Sequence, residues 1–379
     1  MPKVSRIITL DLIRGYFLLV ILINHLNRFP GIFDIFTGRG QLWTSAAEGF
    51  FMISGVLVGL VRGAEVKDGK FWLAAKKAWR RGLYLYMWAI GLTIFFTIIG
   101  THFINDSGVK GGLRPIYWSN AGHIIWKAVI LHYIYGWTDF LQYYAVYMIL
   151  VPPVLLALRK RLDILVLAAA VFCLLHYRNF FLTWQFYFFA GMVIGYRWQA
   201  IEAVLGKLSR GWRTGLRLGL YAAALAVLAA NFVLVFGYLA LRRHYGTGAG
   251  SLHDFTHWLG HMHNTTALWF NRFDYHHRYG WARIFLSLLW FSALYVFVRR
   301  HESVVEKIVG WLMIPVGTNP LKVFIFEGIV VYAVFLIYPS KTGFLLNTLI
   351  NTLSVAVVWL VARYKRADIM PALKRLRFS

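Results

Sequence analysis

The sequence predicts an all-α fold, a polytopic membrane helix bundle of about ten transmembrane helices with both termini in the cytoplasm. Hydrophobic residues make up 59% of the 379 residues and charged residues only 15%. With a mean hydropathy of +0.59, the chain is too apolar for a soluble domain of its length. Apolar runs of about 20 residues, the length that crosses a bilayer, recur along the chain. Most of the 40 lysines and arginines lie between alternate runs.

Each predicted span is an apolar run near the length needed to cross a bilayer. In chain order the spans are approximately 7-27, 43-61, 82-101, 140-158, 162-178, 180-196, 217-240, 281-298, 320-338 and 343-362. The fifth and sixth are the shortest, and because "HYRNFF" leaves almost no loop between them, a re-entrant pair is an alternative. The stretch "HIIWKAVILHYIYGW" at 123-137 is aromatic, amphipathic and short. It predicts an interfacial helix on the outer side.

The orientation follows from the basic residues, which stay preferentially on the cytoplasmic side of a membrane. They concentrate in the N-terminal segment, in the 62-81 loop, in "RKR" at 159-161, between 197 and 217, and in the C-terminal tail. All of these basic segments lie on the cytoplasmic side of the membrane only if both termini are cytoplasmic. The chain then reads as one membrane domain, 1-379, with the outer connection 242-280 as a small extracytoplasmic element.

The formal net charge of +25 does not predict nucleic-acid binding, because the cations lie at helix ends facing a membrane rather than on an exposed basic face. Attraction to anionic lipid explains the charge. The single cysteine, Cys173, lies in an apolar run, so a disulfide within the chain and a thiolate metal cluster are both excluded. The bilayer is therefore a predicted partner and nucleic acid is not.

Two ionisable residues stand in the first span, "DLIRGYFLLVILINHLNR". On a helix, Arg14 and His25 share one face and lie about 16 Å apart along the axis. Ionisable groups inside a span are costly and are functional candidates by default. Arg14 could instead pair with Asp11 or extend to the inner surface, and His25 could be an ordinary interfacial histidine.

The second span contains a carboxylate that helix packing does not explain. In "SAAEGFFMISGVLVG" the small residues allow close approach of a neighbouring helix. Glu48 falls near the outer boundary at about the depth of His25, and a loop of only about fifteen residues joins the two spans. A carboxylate beside an imidazole orients the ring and raises its basicity. We therefore predict that Glu48 and His25 form a catalytic pair.

These motifs resemble the acyltransferase-3 family of membrane enzymes. The arginine and histidine of "DLIRGYFLLVILINHL", followed by "EGFFMISGVLVG", carry the resemblance. "TDFLQYYAVYMILVPPVLLALRKR" and "NFFLTWQFYFFAGMVIGYRW" look like the OpgC-like branch, whose members succinylate periplasmic glucans. The resemblance covers most of 7-198 and, more loosely, "GTNPLKVFIFEG" at 317-328. Many acyltransferase-3 members carry a histidine about where this chain has Glu327, so that position bears on acceptor choice.

The resemblance implies transfer of an acyl group from cytoplasmic acyl-CoA to a hydroxyl of an extracytoplasmic glycan or lipid-linked sugar. It matches His25 to the catalytic histidine and Arg14 to its partner arginine. Succinyl is favoured and acetyl is next. Acyl-CoA is a co-substrate, and no other cofactor is expected. The implied location is the bacterial cytoplasmic (inner) membrane, with a homo-oligomer left open.

The residues themselves support the same chemistry. Arg14 could hold an anionic part of the donor. His25 would take the proton from the attacking hydroxyl or would carry the acyl group as an acyl-imidazole, and both routes stay open. The candidate oxyanion or acceptor contacts are Asn24, Asp139, Gln142 and Glu327.

The outer loop offers a weaker signal, "HDFTHWLGHMH", in which His253, His257 and His261 are four residues apart. Imidazoles at that spacing can bind zinc, but the pattern lacks the glutamate of HExxH, and His276 and His277 make the whole loop histidine-rich. We predict no metal site and favour a sugar-binding or solvated surface. The alternative function for the whole chain is a transporter or flippase that uses the intramembrane charges.

Overall fold

The computed structural model describes residues 7–103, 112–176, 180–238, 241, 251–270, 281–338 and 342–364. Within these ranges the chain is helical and has no strand, which confirms the predicted all-α class. In chain order the α-helices are α1 (Ile8–Leu26), α2 (Asp34–Thr37), α3 (Ala46–Lys67), α4 (Phe71–Phe103), α5 (Ala121–Val129), α6 (Asp139–Arg159), α7 (Asp163–His176), α8 (Phe180–Tyr196), α9 (Trp198–Lys207), α10 (Arg210–Phe232), α11 (Ser251–Phe270), α12 (Trp281–Arg300), α13 (Glu302–Thr318), α14 (Pro320–Ile337) and α15 (Phe344–Arg363). A 3-10 turn, Gly38–Gly40, follows α2, and a π-helix, Val233–Gly237, continues α10.

Eight helices of the described chain are long and apolar enough to cross a membrane, rather than the predicted ten. They are α1, α3, α4, α6, α10 with its π-helix, α12, α14 and α15. The two predicted spans that do not qualify are α7, with 14 residues, and α8, with 17. At 1.5 Å per residue, α7 covers about 21 Å of a hydrocarbon core of about 30 Å. The two helices pack on each other, while residues 177–179 between them lie outside the described ranges, so the re-entrant pair stays a prediction.

Two further predictions of element length are corrected. The predicted interfacial helix at 123-137 is helical only over α5, because Leu131 takes a φ of 60° and ends the helix. In contrast, α4 begins at Phe71 instead of near 82, because "FWLAAKKAWRR" is rich in strong helix formers that extend the apolar helix into its polar flank.

Contacts divide the chain into two compact units that interleave in sequence. Unit 1 comprises residues 1–13, 38–67 and 157–305, and unit 2 comprises 14–37, 68–156 and 306–379. Part of the predicted outer element 242-280 is α11 in unit 1, whereas 242–250 and 271–280 lie outside the described ranges. His25 and Glu327 belong to unit 2, and Glu48 belongs to unit 1.

In unit 1, glycines join α3 to α8. A Cβ built on Gly55 would lie 1.9 Å from the Phe188 carbonyl oxygen, and one on Gly59 would lie 2.1 Å from that of Met192. The contact is reciprocal, since a Cβ on Gly191 would lie 2.2 Å from the Met52 oxygen. Only glycine permits backbones to approach this closely. The small residues of the second span therefore pack helices, and they hold the first turn of α3, which carries Glu48.

In unit 2, small residues and aromatic rings align the helices that carry the site. Gly15 of α1 faces α13, where an added Cβ would lie 2.1 Å from the Met313 carbonyl oxygen. Phe96 of α4 stacks on Tyr332 of α14 with ring centroids 4.8 Å apart. Pro320 at the first turn of α14 suits a helix start, because its missing N–H would have no partner there. These contacts fix α14 and therefore Glu327.

Candidate active site

The side chains of His25 and Glu327 meet in unit 2. His25 lies in the last turn of α1, and its Nδ1 is 2.9 Å from Oε1 of Glu327 on α14. The Glu327 side chain is 2% exposed, whereas that of His25 is 38% exposed. One member of the pair is thus fixed in the protein interior, and the other remains accessible to a substrate.

The geometry of this pair suits proton transfer. When Nδ1 carries the ring proton it donates to Glu327, and Nε2 then keeps the lone pair of a base. The carboxylate holds the ring orientation and stabilises the imidazolium that forms when Nε2 takes a proton, as in serine hydrolase triads. Glu327 Oε2 is buried and accepts no hydrogen bond from the residues that the structure describes.

Aromatic rings line the space beside His25. The ring of Trp137 lies 6.4 Å from that of His25, between centroids, and it stacks on Phe335 at 5.6 Å. Gly136, at a φ of 73°, directs the chain into Trp137, and an added Cβ there would lie 2.5 Å from the Phe96 ring. We call Phe96, Trp137, Tyr332 and Phe335 the aromatic wall.

A buried arginine lies at the end of this wall. Helix α1 ends at Leu26, Asn27 takes a φ of 51°, and Arg28 follows with 2% of its surface exposed. Its guanidinium lies 5.3 Å from the centre of the Phe335 ring and donates to the carbonyl of Tyr338. Arg28 thereby places a positive charge three residues beyond His25.

The remaining predicted residues of unit 2 have the following positions. The Nε of Arg14 donates to the carbonyl of Gly317 near the C-terminus of α13, where a cation is favourable.

Asn24 precedes His25, and its buried Oδ1 accepts no hydrogen bond from any described residue. Asp139 opens α6, and its Oδ1 accepts from the amide of Phe140. Gln142 donates through Nε2 to the carbonyl of Leu131, at 3.2 Å.

Glu48 lies in a buried polar cluster of unit 1. Its Oε1 pairs with Nε of Arg283 on α12 at 2.6 Å, and its Oε2 accepts from Ser287 at 2.7 Å. Both charged side chains are almost fully buried, at 1% and 2% exposure. The carboxylate that contacts the His25 ring is that of Glu327, and the pairing of Glu48 with His25 stays a prediction. A catalytic role for Glu48 stays a prediction.

A comparison with protein families was made on the whole chain. The sequence pattern of the family described as OpgC protein matches residues 6–368. The chain belongs to the OpgC family. Comparison with curated proteins and with solved structures gave no significant match. Membership in the OpgC family suggests a glucan-modifying, acyltransferase-like membrane protein, and the eight apolar helices make this member multi-pass.

The sequence analysis overlooked three residues near His25, namely Trp137, Phe335 and Arg28. The first two are ordinary aromatic residues in a chain that is 18% aromatic, so composition gives them no distinguishing signal. Arg28 could have been found, because a charge just beyond an apolar helix and three residues after a candidate base is unusual. Its burial could not be predicted from α1 alone.

Helix α11 carries His253, His257, His261 and His263. Among the described residues, no group of three or more His, Cys, Asp or Glu side chains has an arrangement that could hold a metal ion. His276 and His277 lie outside the described ranges. His263 is occupied differently, since its Nδ1 donates to the carbonyl of Leu234 at 3.0 Å.

Proposed function

We propose that this OpgC family member is a transmembrane O-acyltransferase of the acyltransferase-3 type. It moves an acyl group from cytoplasmic acyl-CoA to a hydroxyl of an extracytoplasmic glycan or lipid-linked sugar in the bacterial cytoplasmic membrane. The observation that carries the proposal is the contact of the accessible imidazole of His25 with the buried carboxylate of Glu327. Acyl transfer to a hydroxyl needs a proton acceptor, and the contact with Glu327 supports the imidazole of His25 in that role.

The reaction can proceed by two balanced routes. In the first, Nε2 of His25 takes the proton of the acceptor hydroxyl, its oxygen forms a bond to the thioester carbonyl carbon, the C–S bond breaks, and the proton passes to the CoA thiolate. In the second, Nε2 attacks the thioester and forms an acyl-imidazole as the thiolate leaves. The hydroxyl oxygen then forms a bond to the acyl carbon, the C–N bond to the imidazole breaks, and the hydroxyl proton passes to the CoA thiolate. Glu327 stabilises the imidazolium in either route.

The surroundings of His25 suit a sugar acceptor. Within the aromatic wall, Trp137 and Phe335 are partly exposed, and their flat apolar faces can pack against the C–H face of a sugar ring. Asn24 adds a buried carbonyl oxygen without a hydrogen bond from the described residues, and a sugar hydroxyl could donate to it. We assign Asn24 and the aromatic wall to the acceptor, with Asp139 and Gln142 as further predicted contacts.

We assign the acyl-CoA donor to the N-terminal half of α1, which carries Arg14. Arg14 lies about 16 Å from His25 along the helix, so a donor that reaches both would extend through the membrane. Arg28 supports a succinyl rather than an acetyl group, because its guanidinium offers a counter-charge to the free carboxylate of succinyl. The assignment needs no cofactor beyond acyl-CoA.

The experiment uses purified protein in liposomes with succinyl-CoA or acetyl-CoA and a neutral glucan. Mass spectrometry should show a glucan heavier by one succinyl group and a matching amount of free CoA thiol. Arg28→Gln should lower the preference for succinyl-CoA about tenfold or more, whereas Arg28→Lys should keep most of it.

The alternative of a transporter or flippase makes a different prediction for the same liposomes. It would move a glycan or a lipid-linked sugar across the bilayer without adding mass to it or releasing CoA thiol. Transport together with unmodified glycan, under both donors, would refute the acyltransferase proposal.

A further inference from the structure

An open cleft lies in unit 1 between α11 and the chain that leaves the π-helix. Its volume is about 310 Å³, at the lower end of the range for small-molecule sites. The residues that line it are Tyr238, His253, Thr256, His257, Gly260, His261 and Asn264. Three of these residues, His257, His261 and Asn264, are exposed, so a polar ligand can reach the cleft.

Tyr238, the residue that follows the π-helix, lines one side of this cleft. The π-helix, Val233–Gly237, ends just before Tyr238, and π-turns of this kind are frequent at functional sites. The Leu234 carbonyl within it accepts from Nδ1 of His263 at 3.0 Å, and the His263 ring stacks on Tyr238 with centroids 4.9 Å apart. Gly260 allows this packing, since an added Cβ would lie 2.8 Å from the Tyr238 ring. Tyr238 is thus fixed against α11.

The chemistry of the lining indicates the class of ligand. The hydroxyls, the imidazoles and the amide of Asn264 offer both donors and acceptors of hydrogen bonds, as sugar hydroxyls do. Although the chain has 40 lysines and arginines, none of them, and no Asp or Glu, is among the described residues that line the cleft. A lysine or arginine would favour an anionic ligand, and an apolar ligand would form no hydrogen bonds with these polar groups.

We propose that the α11 cleft binds a neutral sugar unit of a glycan. In the context of the proposed acyl transfer, on which this step rests, the cleft anchors the acceptor glycan while one of its hydroxyls reacts. The repeat of His253, His257 and His261 at four-residue intervals extends along one side of α11. A row of this kind contacts successive hydroxyls of an extended chain better than those of a single sugar.

The test is a binding measurement without acyl-CoA, so it does not depend on the acyltransferase reaction. Isothermal titration of the full-length protein in detergent with neutral linear glucan oligosaccharides of different linkage should detect binding of at least one. His257→Ala and Asn264→Ala should each weaken it about tenfold, the effect of losing a hydrogen bond. The matched control is Asp254→Asn, since Asp254 is exposed on the same helix and does not line the cleft.

Two outcomes would overturn the proposal, namely no binding of any oligosaccharide by wild-type protein, or binding that His257→Ala and Asn264→Ala leave unchanged. Gly260→Ala provides an independent check, because it should displace Tyr238 and weaken binding while leaving every hydrogen-bonding side chain in place. Failure of acyl transfer with normal oligosaccharide binding would instead contradict the acyltransferase proposal and leave the cleft intact.

Discussion

Arg14 and His25 share one helix and have separate jobs in this account. If Arg14 holds the donor as proposed, Arg14→Ala should weaken acyl-CoA binding by about 1.5–3 kcal/mol, the value for a hydrogen bond to a charged group. Turnover at saturating donor should fall less, because the reacting atoms lie at the other end of α1. Equilibrium binding and kcat are measured on the same purified variant. A variant that binds acyl-CoA normally but melts earlier would make Arg14 a structural partner of Gly317.

Glu48 and Arg283 form a buried pair whose loss should reduce stability. Glu48→Gln leaves the Arg283 charge uncompensated in the interior, which typically costs on the order of 3–5 kcal/mol. The double variant Glu48→Leu with Arg283→Met should recover most of that loss, because two apolar side chains bury no charge that needs a partner. Thermal melting of the three variants in detergent measures both effects. A Glu48→Gln protein that melts like wild type but turns over slowly would restore the predicted catalytic role.

The two carboxylates show why the site could be predicted only in part. Glu48 was predicted as the partner of His25 because a short loop joins their two spans. The sequence offers no other indication of which side chains lie close together. Glu327 lies 302 residues from His25 in the chain, and only the packing of α1 with α14 brings their side chains together. The sequence therefore singles out His25 as a candidate base, but the carboxylate that contacts it depends on long-range helix packing.

Helices α3 and α8 depend on glycine at their contact. Gly55→Ala should destabilise unit 1 by about 1–3 kcal/mol, because its Cβ would lie 1.9 Å from a backbone oxygen that cannot move away without separating the helices. Gly219→Ala is the control, since nothing lies within 4 Å of its added Cβ in α10. Alanine there should leave stability unchanged or raise it by up to about 1 kcal/mol. Equal melting temperatures for the two variants would contradict the packing.

Hydropathy predicted the long apolar helices well and the short ones poorly. Spans such as 7-27 and 343-362 match α1 and α15 to within one or two residues, because about 20 apolar residues have few other stable environments. The α7 and α8 segments are apolar too, but the mean hydropathy of a segment does not show whether it crosses the bilayer or lies in the interior of a helix bundle. Helix α13 was missed because Glu302, Glu306, Lys307 and Pro315 interrupt its apolar pattern.

The proposed acyl transfer requires that the donor side of the protein face the cytoplasm. Tags at the N-terminus, in the 62-81 loop and at the C-terminus should all report the cytoplasm, because basic residues concentrate in these segments. A tag in the 242-280 connection, which carries α11, should report the outside. Reporter fusions or cysteine accessibility in intact cells would measure this. An external signal from the 62-81 loop would contradict the route proposed for acyl-CoA.

The central claim is that the His25–Glu327 pair carries out acyl transfer, and steady-state transfer by purified variants tests it most directly. His25→Ala and Glu327→Gln should each lower kcat by about 10²- to 10⁴-fold, the contribution of general acid–base catalysis, with acyl-CoA binding close to wild type. Lys322→Gln, which changes a charge on the same helix α14, should keep wild-type turnover. Wild-type kcat in a folded, monodisperse His25→Ala or Glu327→Gln protein would contradict the account.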